Sequence, residues 1–482
     1  MARPFPIPFP LSSAPGANPQ ESSGRLINCA AEPLDNAQGP KVVWRRRPGL
    51  SKFTDLTIAG YRGSILVGSL AYVAVGTNVV TVDSSGTVTT LTGSLPGTDR
   101  VTFARNNAAT PDIQVVSPAN GAFSISGGVV SSFNGGGALP VPNSVAAQDA
   151  YFFWTIGDNR VFAAGPNSTS VNALTFITVQ SRPTGNLIRA VPYQGLMWFF
   201  ATNFCEVWQD QALPAPGFPY ARYAVIDLGL FGRNAIAGWE DGFGTLIFVA
   251  NDFGVYQVGG TAPTKISPPD LDRLIEGQKN TPDAVFAFVY VTEGKKFFVL
   301  NCANWHTAWE YNLNTQGWNE RDSNSAGNNI AWRAAGSLLA FNKWMIADSF
   351  TTNLLYIDPS SQQEFGTSLR SRMESGPVNN FPARAAIIRA DFNFVTGVGQ
   401  SALSTQTGQN PQVGISCSRD GGYTWDNPRL RALGQAANGE QRVYATRFGL
   451  STNQGPRFRL DLSDEVYASF MGATCSNDIR AV

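Results

Sequence analysis

The sequence has 482 residues, including 48 Gly and 30 Pro, and its 35 Lys and Arg residues balance 35 Asp and Glu residues. This length excludes a marginal core, and the zero net charge excludes the global basic bias of many nucleic-acid-binding proteins and an acidic solvating tail. Charged residues make up 15% and aromatic residues 11% of the chain, whereas typical soluble proteins carry roughly 25% charge. This composition fits a chain that buries much surface against other subunits, and it fits equally a large β core with uncharged polar turns.

Residues 1–52 are rich in Pro, Gly, Asn and Ser, and they show little hydrophobic periodicity before residue 41. Such a segment folds poorly alone, so we predict an extended N-terminal arm that lies across a neighbouring molecule. The arm contains a run of three arginines. Arginine forms planar bidentate bonds at desolvated protein interfaces, and three charges are few for a contact with DNA. We therefore favour a protein partner for this run. The candidate assembly contact is formed by Trp44, Arg45, Arg46 and Arg47.

Residues 53–375 repeat a strand–turn–strand pattern. In the clearest unit, two β-rich runs at residues 245–250 and 255–258 flank a turn at 251–254. The Asn, Asp and Gly residues of that turn tolerate positive φ angles, so the unit predicts a β-hairpin. Such hairpins recur at roughly 40-residue spacing, which is the length of a propeller blade. We therefore predict an all-β fold with a six- or seven-bladed β-propeller, a scaffold that does not by itself define a function.

One helix interrupts the repeats, at residues 267–277. Ser267 is predicted to cap its free amides, and Gly277 is predicted to end it. Its apolar stripe predicts that it packs on the propeller as a connector. That stripe consists of Leu271, Leu274 and Ile275.

Residues 376–482 have longer strand-like runs and a Gly-, Gln-, Ser- and Thr-rich linker at 397–411. We predict a separate C-terminal β-sandwich-like domain there. Residues 418–425 match the S-x-D-x-G-x-T-W pattern of the sialidase Asp-box, in which the Asp accepts turn amides and the Trp packs beneath them. Because the pattern occurs once, we interpret it as a structural turn formed by Ser418, Asp420, Gly422 and Trp425.

The motifs yield no candidate catalytic residue, cofactor-binding residue or metal ligand. His306 is the only histidine, which excludes a histidine metal cluster, and the chain lacks the G-x-S-x-G elbow that accompanies many Ser–His–Asp triads. A glycosidase needs two carboxylates at a defined separation, or a tyrosine nucleophile with its acid, and no local signature assigns either. The sequence therefore predicts a protein that is not an enzyme and uses no cofactor.

The cysteines and the N-terminus predict a protein that folds in the cytosol. The five cysteines are scattered and form no C-x-x-C pair, so we interpret them as reduced thiols. Four prolines within residues 1–10 leave no room for the apolar core of a signal peptide. No later run approaches the ~18 apolar residues of a membrane span, so we expect no membrane-spanning segment.

A series of short strings runs through most of the chain. It begins with Asn-Cys-Ala-Ala-Glu-Pro at 28–33, Gly-Pro-Lys at 39–41 and Arg-Pro-Gly-Leu-Ser-Lys-Phe at 47–53. It continues at 244–258, 265–267, 287–290, 309–313 and 318–321, and closes with the stretch from 418 through 447 to 458–460. These strings resemble those of the podovirus tail hub proteins, also called tail nozzle or packaged-DNA stabilisation proteins. The chain departs from the family at 29–31, where Cys-Ala-Ala replaces an aromatic core.

The resemblance implies a structural role in the tail of a bacteriophage virion, after synthesis in the host cytoplasm. Members of this family form a ring, commonly of six copies, that extends the DNA channel of a short tail below the portal-adaptor complex. The implied partners are other copies of the chain, the portal-adaptor protein, and tail fibre, spike or needle proteins. Genomic DNA would pass through the lumen without sequence-specific binding. We therefore expect a ring that retains the packaged genome and conducts it during ejection.

Two functions from other classes stay open at this point. The first is a propeller glycosidase or lyase that acts on surface polysaccharide. The second is a receptor-binding protein at the tail tip. For a DNA duct we expect an uncharged polar or weakly acidic wall, because each neutralised phosphate adds affinity through counterion release and would slow the passage of DNA.

Overall fold

The chain folds almost entirely into β-sheet. A computed structural model describes residues 4–34, 39, 41–182, 184–213, 217–325, 328–378, 382–401 and 406–480. A short 3₁₀ turn at Pro19–Glu21 lies among the first strands. Five strands precede the repeats, namely β1 (Pro4–Pro6), β2 (Arg25–Ile27), β3 (Cys29–Pro33), β4 (Val42–Arg46) and β5 (Gly49–Asp55).

Five four-stranded antiparallel sheets then follow one another along the chain. The first comprises β6 (Tyr61–Val67), β7 (Leu70–Val75), β8 (Asn78–Val82) and β9 (Val88–Thr90), and the second β10 (Thr102–Arg105), β11 (Ile113–Ser117), β12 (Gly121–Ser126) and β13 (Val129–Phe133). The third comprises β14 (Pro142–Gln148), β15 (Tyr151–Ile156), β16 (Arg160–Ala164) and β17 (Val171–Thr178). The fourth comprises β18 (Leu187–Tyr193), β19 (Leu196–Ala201), β20 (Cys205–Asp210) and β21 (Tyr220–Ile226), and the fifth β22 (Ile236–Ala237), β23 (Ile247–Val249), β24 (Val255–Gly259) and β25 (Ala262–Lys265).

Two further sheets complete the repeats after helix α1 (Pro269–Glu276). The sixth comprises β26 (Val285–Thr292), β27 (Lys295–Cys302), β28 (Ala308–Asn312) and β29 (Gly317–Ser325), with β30 (Asn328–Ala331) paired to β29. The seventh comprises β31 (Ala334–Ala340), β32 (Lys343–Asp348), β33 (Asn353–Asp358) and the early strand β5, beside which lie β34 (Gln363–Glu364) and β35 (Thr367–Ser368). Short 3₁₀ turns occur at Gly135–Gly137 and Pro282–Ala284.

Neighbouring sheets pack through shared apolar clusters that run around the whole series. Val79 of the first sheet lies in one buried cluster with Val115 of the second. Val80, on the opposite face of the same strand, lies in a cluster with Met345 of the seventh. Alternate side chains of one strand thus serve two neighbours, as the pleat of a β-strand dictates. The seven sheets form a closed ring, and the predicted all-β propeller is confirmed.

Strand β5 closes the ring by completing the last sheet. It pairs with β33, where Ser51 lies opposite Tyr356 and Gly49 opposite Asp358. A Cβ atom at Gly49 would lie 2.0 Å from the carbonyl oxygen of Gln363, so the close backbone approach requires glycine. The propeller is therefore closed by hydrogen bonds between segments at opposite ends of the repeat region.

A second unit adjoins the ring and combines strands from both ends of the chain. One sheet has the order β3-β4-β42-β37-β40, with β1 on β42, and the other runs from β29 through β2, β36, β41 and β38 to β39. The two sheets share one apolar core, which is the packing of a β-sandwich. The elements new here are β36 (Ser371–Glu374), β37 (Arg384–Phe394), α2 (Gln406–Gln409), β38 (Gln412–Ser418), β39 (Arg429–Ala432), β40 (Val443–Leu450), β41 (Arg457–Leu462) and β42 (Ser469–Arg480).

The N-terminal segment differs from the extended arm expected at residues 1–52. Its described part supplies β1–β4 to the sandwich, with Ile7, Phe9 and Leu26 buried in the shared core. The expectation failed because these few apolar residues find their partners hundreds of positions away, which local periodicity cannot show. The propeller range 53–375 and the C-terminal range 376–482 stay predictions. The core of the sandwich also includes residues from the N-terminal segment, outside 376–482.

Helix α1 begins at Pro269 without the predicted cap, since no side chain caps its first turn and the N-cap position is Pro268. The Ser267 hydroxyl instead donates to the Asp272 carboxylate at 2.5 Å and accepts from the Val255 amide. Leu271 and Ile275 are buried in the core shared by the last three sheets, and Leu274 packs against it. The predicted apolar stripe therefore attaches the helix to the propeller.

Candidate functional site

The basic run that was expected to contact a neighbour lies mostly inside this chain. Trp44, Arg46 and Arg47 are buried, and only Arg45 is substantially exposed, where it pairs with Glu32 at 3.3 Å. An assembly contact through the three buried side chains would require them to leave the fold. For Arg45 the assembly contact stays a prediction.

Trp44 and Arg46 anchor β4 within the sandwich. The Trp44 indole packs against Phe470, with ring centroids 5.4 Å apart, and its N–H donates to the Pro10 carbonyl at 2.7 Å. Arg46 donates to the Ser371 hydroxyl at 3.0 Å and to the backbone carbonyls of Leu369, Asp464 and Val466. Burial among carbonyls, which carry no full charge, lowers the pKa of Arg46 to about 10.

Arg47 belongs to a buried ionic cluster centred on Glu310. The Glu310 carboxylate lies 2.8 Å from Arg47 Nε and 3.3 Å from Arg321 Nη1, and all three side chains are almost wholly inaccessible. It also accepts from the Tyr290 hydroxyl and, at 2.8 Å, from the Asn319 amide. Burial alone would raise the pKa of Glu310, but the two guanidinium groups and these hydrogen bonds together hold it below its usual range. Glu310 is therefore an anion at neutral pH.

A second set of polar contacts continues this cluster into the sandwich. Asn28 has a positive φ of 52° and its amide nitrogen donates to the Arg370 carbonyl at 2.8 Å and to the Asp322 carboxylate at 2.5 Å. Its amide oxygen accepts from Arg321 Nε at 3.1 Å. Arg370 in turn pairs with Asp322 at 2.6 Å. Together, Arg47, Glu310, Tyr290, Arg321, Asn28, Asp322 and Arg370 form what we call the junction cluster.

The junction cluster lies where the propeller's sixth sheet continues into the sandwich. Ile27 of β2 pairs in parallel with Glu320 of β29, and β36 extends the same sheet on the other side. Each carboxylate of the cluster lies against an arginine, and the carboxylates also accept from amide donors. Such a site is suited to fixing one module against the other rather than to acid–base chemistry.

Ser418, Asp420, Gly422 and Trp425 lie at the turn between β38 and β39. Asp420 accepts from the Ser418 hydroxyl at 2.7 Å and from both the amide and the hydroxyl of Thr424. Gly422 has a φ of 106° and donates its amide to Ser418. The Trp425 ring lies 4.7 Å from the Arg459 guanidinium. These contacts hold the backbone of the turn.

Replacing Asp420 with asparagine is expected to destabilise the chain by about 1 kcal/mol at pH 7, since charged hydrogen-bond acceptors contribute more than neutral ones and this group is partly exposed. Burial alone would raise the pKa of Asp420, but the bonds from Thr424 and Ser418 lower it to about 2. A carboxyl group whose pKa is lowered in the folded state stabilises the fold at pH values above the ordinary carboxyl range. This contribution is lost as the pH falls through the folded-state pKa. Urea unfolding should therefore show that the difference in the free energy of unfolding between wild type and variant becomes smaller between about pH 4 and pH 2. A gap unchanged with pH would contradict this assignment.

A central cavity of about 390 Å³ lies on the propeller axis. The first strand of each of the seven sheets contributes to its wall, from β6 through β31. Its volume is in the ~300–1,000 Å³ range of small-molecule pockets. A DNA duplex, whose major groove alone is ~12 Å wide and ~8.5 Å deep, does not fit such a space.

Three features of the described residues bear on other classes of function. No group of three or more His, Cys, Asp or Glu side chains there is placed to hold a metal ion. No helix of the described chain is long and apolar enough to cross a bilayer. The cysteines are all buried and unpaired, and burial raises the pKa of Cys417 to about 12.

The closed ring of sheets and the junction cluster define the chain as a β-propeller protein whose buried charges serve its architecture. It belongs to the family described as Bacteriophage P22 Gp10, beta-propeller, whose model matches residues 25–362. This is the podovirus tail family, named for packaged-DNA stabilisation, that the sequence strings resemble. The protein is therefore a bacteriophage protein associated with the virion.

Solved structures resemble the chain only distantly. The WD40 propeller domain of Doa1 shares 9% identity over 64% of this chain and 97% of its own, with a TM-score of 0.40. A catalytically inactive virginiamycin B lyase from Staphylococcus aureus, solved with quinupristin, shares 9% identity over 68% of this chain and 98% of its own, with a TM-score of 0.40. The designed protein Ika8 shares 11% identity over 73% of this chain and 100% of its own, with a TM-score of 0.37. No curated protein matches the sequence.

Proposed function

We propose that this chain is a subunit of the tail hub, or nozzle, of a short phage tail. In this role it extends the DNA channel below the portal-adaptor protein, retains the packaged genome and conducts it during ejection. The observation that carries the proposal is membership of the phage P22 Gp10 family over residues 25–362. The role is structural and requires no catalysis.

The size of the central cavity bears on where DNA would pass. Because a cavity of about 390 Å³ cannot admit a duplex, we propose that the DNA channel is formed between several copies of the chain. This supports a ring, and we propose the six-fold arrangement common in the family. Its neighbours would be the portal-adaptor protein on one side and fibre, spike or needle proteins on the other.

A conduit for DNA must keep its shape while a self-repelling polyanion presses on it. The junction cluster supports this role, since it fixes the propeller against the sandwich with ion pairs such as Arg47–Glu310 that are shielded from solvent and salt. The outer strands β17 and β21 expose Leu174 and Tyr223, which are 79% and 60% accessible. A second copy of the chain packed on these strands would bury them.

The proposal is tested with particles that lack this protein. They are expected to package DNA and then lose it, because the end of the channel is open, and quantitative PCR of nuclease-protected genome measures the loss. Supplying the wild-type chain, or a folded Asp420→Asn or His306→Ala chain, should restore retention. Negative-stain microscopy of the purified chain with adaptor protein should show rings.

Other outcomes would favour the rival functions. Deletion particles that stay filled but fail to adsorb would indicate a receptor-binding protein and contradict the proposal. A folded Asp420→Asn or His306→Ala particle that stays filled and loses cleavage of surface polysaccharide would indicate an enzyme.

A further inference from the structure

Two arginines contribute to the wall of the central cavity in a way the proposed tail role does not explain. Arg100 lies just before β10 and Arg189 lies in β18, so the second and fourth sheets hold them at fixed positions. Among the described residues, no carboxylate oxygen lies within 4.0 Å of either guanidinium group, so neither arginine forms an ion pair there. Both side chains are half-buried in the cavity wall and have no carboxylate partner there, whereas most fully buried arginines in proteins are paired.

Each of these guanidinium groups is oriented by an aromatic ring and one backbone carbonyl. Arg100 lies 3.7 Å from the centroid of the Phe286 ring and donates Nη2–H to the Ala335 carbonyl at 2.7 Å. Arg189 lies 5.0 Å from the Trp239 ring and donates Nη1–H to the Arg233 carbonyl. A guanidinium has five N–H donors, so one carbonyl leaves most of them unused. Arg189 Nε is itself buried without a partner.

The surroundings of the two arginines leave positive charge uncompensated. Burial lowers the pKa of Arg100 to about 10, and burial together with repulsion from Arg100 lowers that of Arg189 to about 10, although Glu240 opposes the second shift. Both remain cations at neutral pH. Glu240 directs one oxygen to the Gly238 amide at 2.5 Å, and burial raises its pKa. The other charged residues of the cavity wall are Arg62, which pairs with Asp99 at 3.3 Å, and Arg105 and Asp241, which carry opposite charges.

We infer that the central cavity is a binding site for a small molecule that carries a phosphate or carboxylate group. The oxyanion would accept hydrogen bonds from the unused N–H donors of Arg100 and Arg189, whose planar forks match both kinds of group. The Phe286 and Trp239 rings hold these forks in place before the ligand arrives, which reduces the entropy lost on binding. The cavity volume of about 390 Å³ fits a ligand of metabolite size.

The test uses the full-length chain with inorganic phosphate and succinate as separate probes, and with chloride at matched ionic strength as the reference. Thermal unfolding and isothermal titration calorimetry are expected to show saturable binding of at least one probe below ~10 mM. Arg100→Gln and Arg189→Gln should each weaken that binding at least tenfold. Arg182→Gln, which removes an exposed guanidinium paired with Asp227, is the matched control and should bind as the wild type does.

The two probes separate the two chemical sources of an oxyanion. Preference for phosphate would identify a phosphorylated ligand, and preference for succinate a carboxylate ligand. If a glutamine variant fails to fold, Arg100→Lys keeps the charge but loses the planar fork, and it should still weaken binding. Equal binding by wild type and the cavity variants, or no saturable binding of either probe, would overturn the inference. These outcomes do not depend on the tail role, because DNA retention is not measured.

Discussion

Replacing Glu310 with alanine is expected to lower the free energy of unfolding by about 3–5 kcal/mol, the range found when one partner of a buried ion pair is removed. The loss leaves Arg47 and Arg321, both almost wholly inaccessible, without their common anion. It also removes the acceptor of the Tyr290 hydroxyl and the Asn319 amide. Urea titration at pH 7, followed by tryptophan fluorescence, measures the effect.

The matched control for Glu310 is Asp227, which pairs with Arg182 at the surface. Asp227→Ala should change stability by less than about 1 kcal/mol, because water and salt screen an exposed pair. The pKa of Glu310 is lowered in the folded state. Its contribution to the free energy of unfolding is therefore present at pH values above the ordinary carboxyl range and decreases as the pH falls below that range. Equal effects of Glu310→Ala and Asp227→Ala would show that the junction cluster does not stabilise the fold.

Removing residues 1–34 is expected to unfold the sandwich while leaving a strand-rich propeller. The truncation deletes β1, β2 and β3, and with them the buried side chains of Ile7, Phe9 and Leu26. Each buried side chain of this size stabilises the fold by about 1.5–3 kcal/mol, so their joint loss of about 4.5–9 kcal/mol is comparable with the ~5–15 kcal/mol that stabilises a typical domain. Limited proteolysis should cut the truncated chain within β4 and after residue 370, and spare the propeller between them.

A single substitution gives a quantitative form of the same prediction. Leu26 is fully buried, and Leu26→Ala should reduce the free energy of unfolding by about 2–5 kcal/mol. Leu11, which is exposed, provides the control, and Leu11→Ala should have an effect within about 0.5 kcal/mol. A truncated chain that resists protease throughout, with Leu26→Ala as stable as Leu11→Ala, would indicate that the N-terminal strands do not hold the sandwich.

The propeller could be predicted from the sequence because its hairpins are local. A run such as residues 245–258 contains both strands and the turn that joins them, so its pairing needs no distant partner. The closing strand β5 could not be found in this way, since its partner β33 lies some 300 positions further along the chain. The same reason explains why the N-terminal segment was expected to be an arm, although its strands pair with β42 and β36.

The junction cluster was missed although a signal for it exists in the sequence. Glu310 stands between Trp309 and Tyr311, and Arg321 follows Trp318 within one strand. Charged residues inside aromatic-rich strands are expensive to bury alone, so they indicate ionic partners. Which partners they have depends on tertiary contact, and Arg47, more than 250 positions away, cannot be identified from local sequence.

The meeting of both chain ends in the sandwich constrains how the protein is made. Strands β1 and β4 are synthesised long before β42, the strand with which both of them pair. At ~5–20 residues per second, translation of the chain takes on the order of half a minute to a minute and a half. Until β42 has been made, β1 and β4 lack this partner. A chaperone that shields unpaired apolar strands would therefore have its greatest effect on this segment.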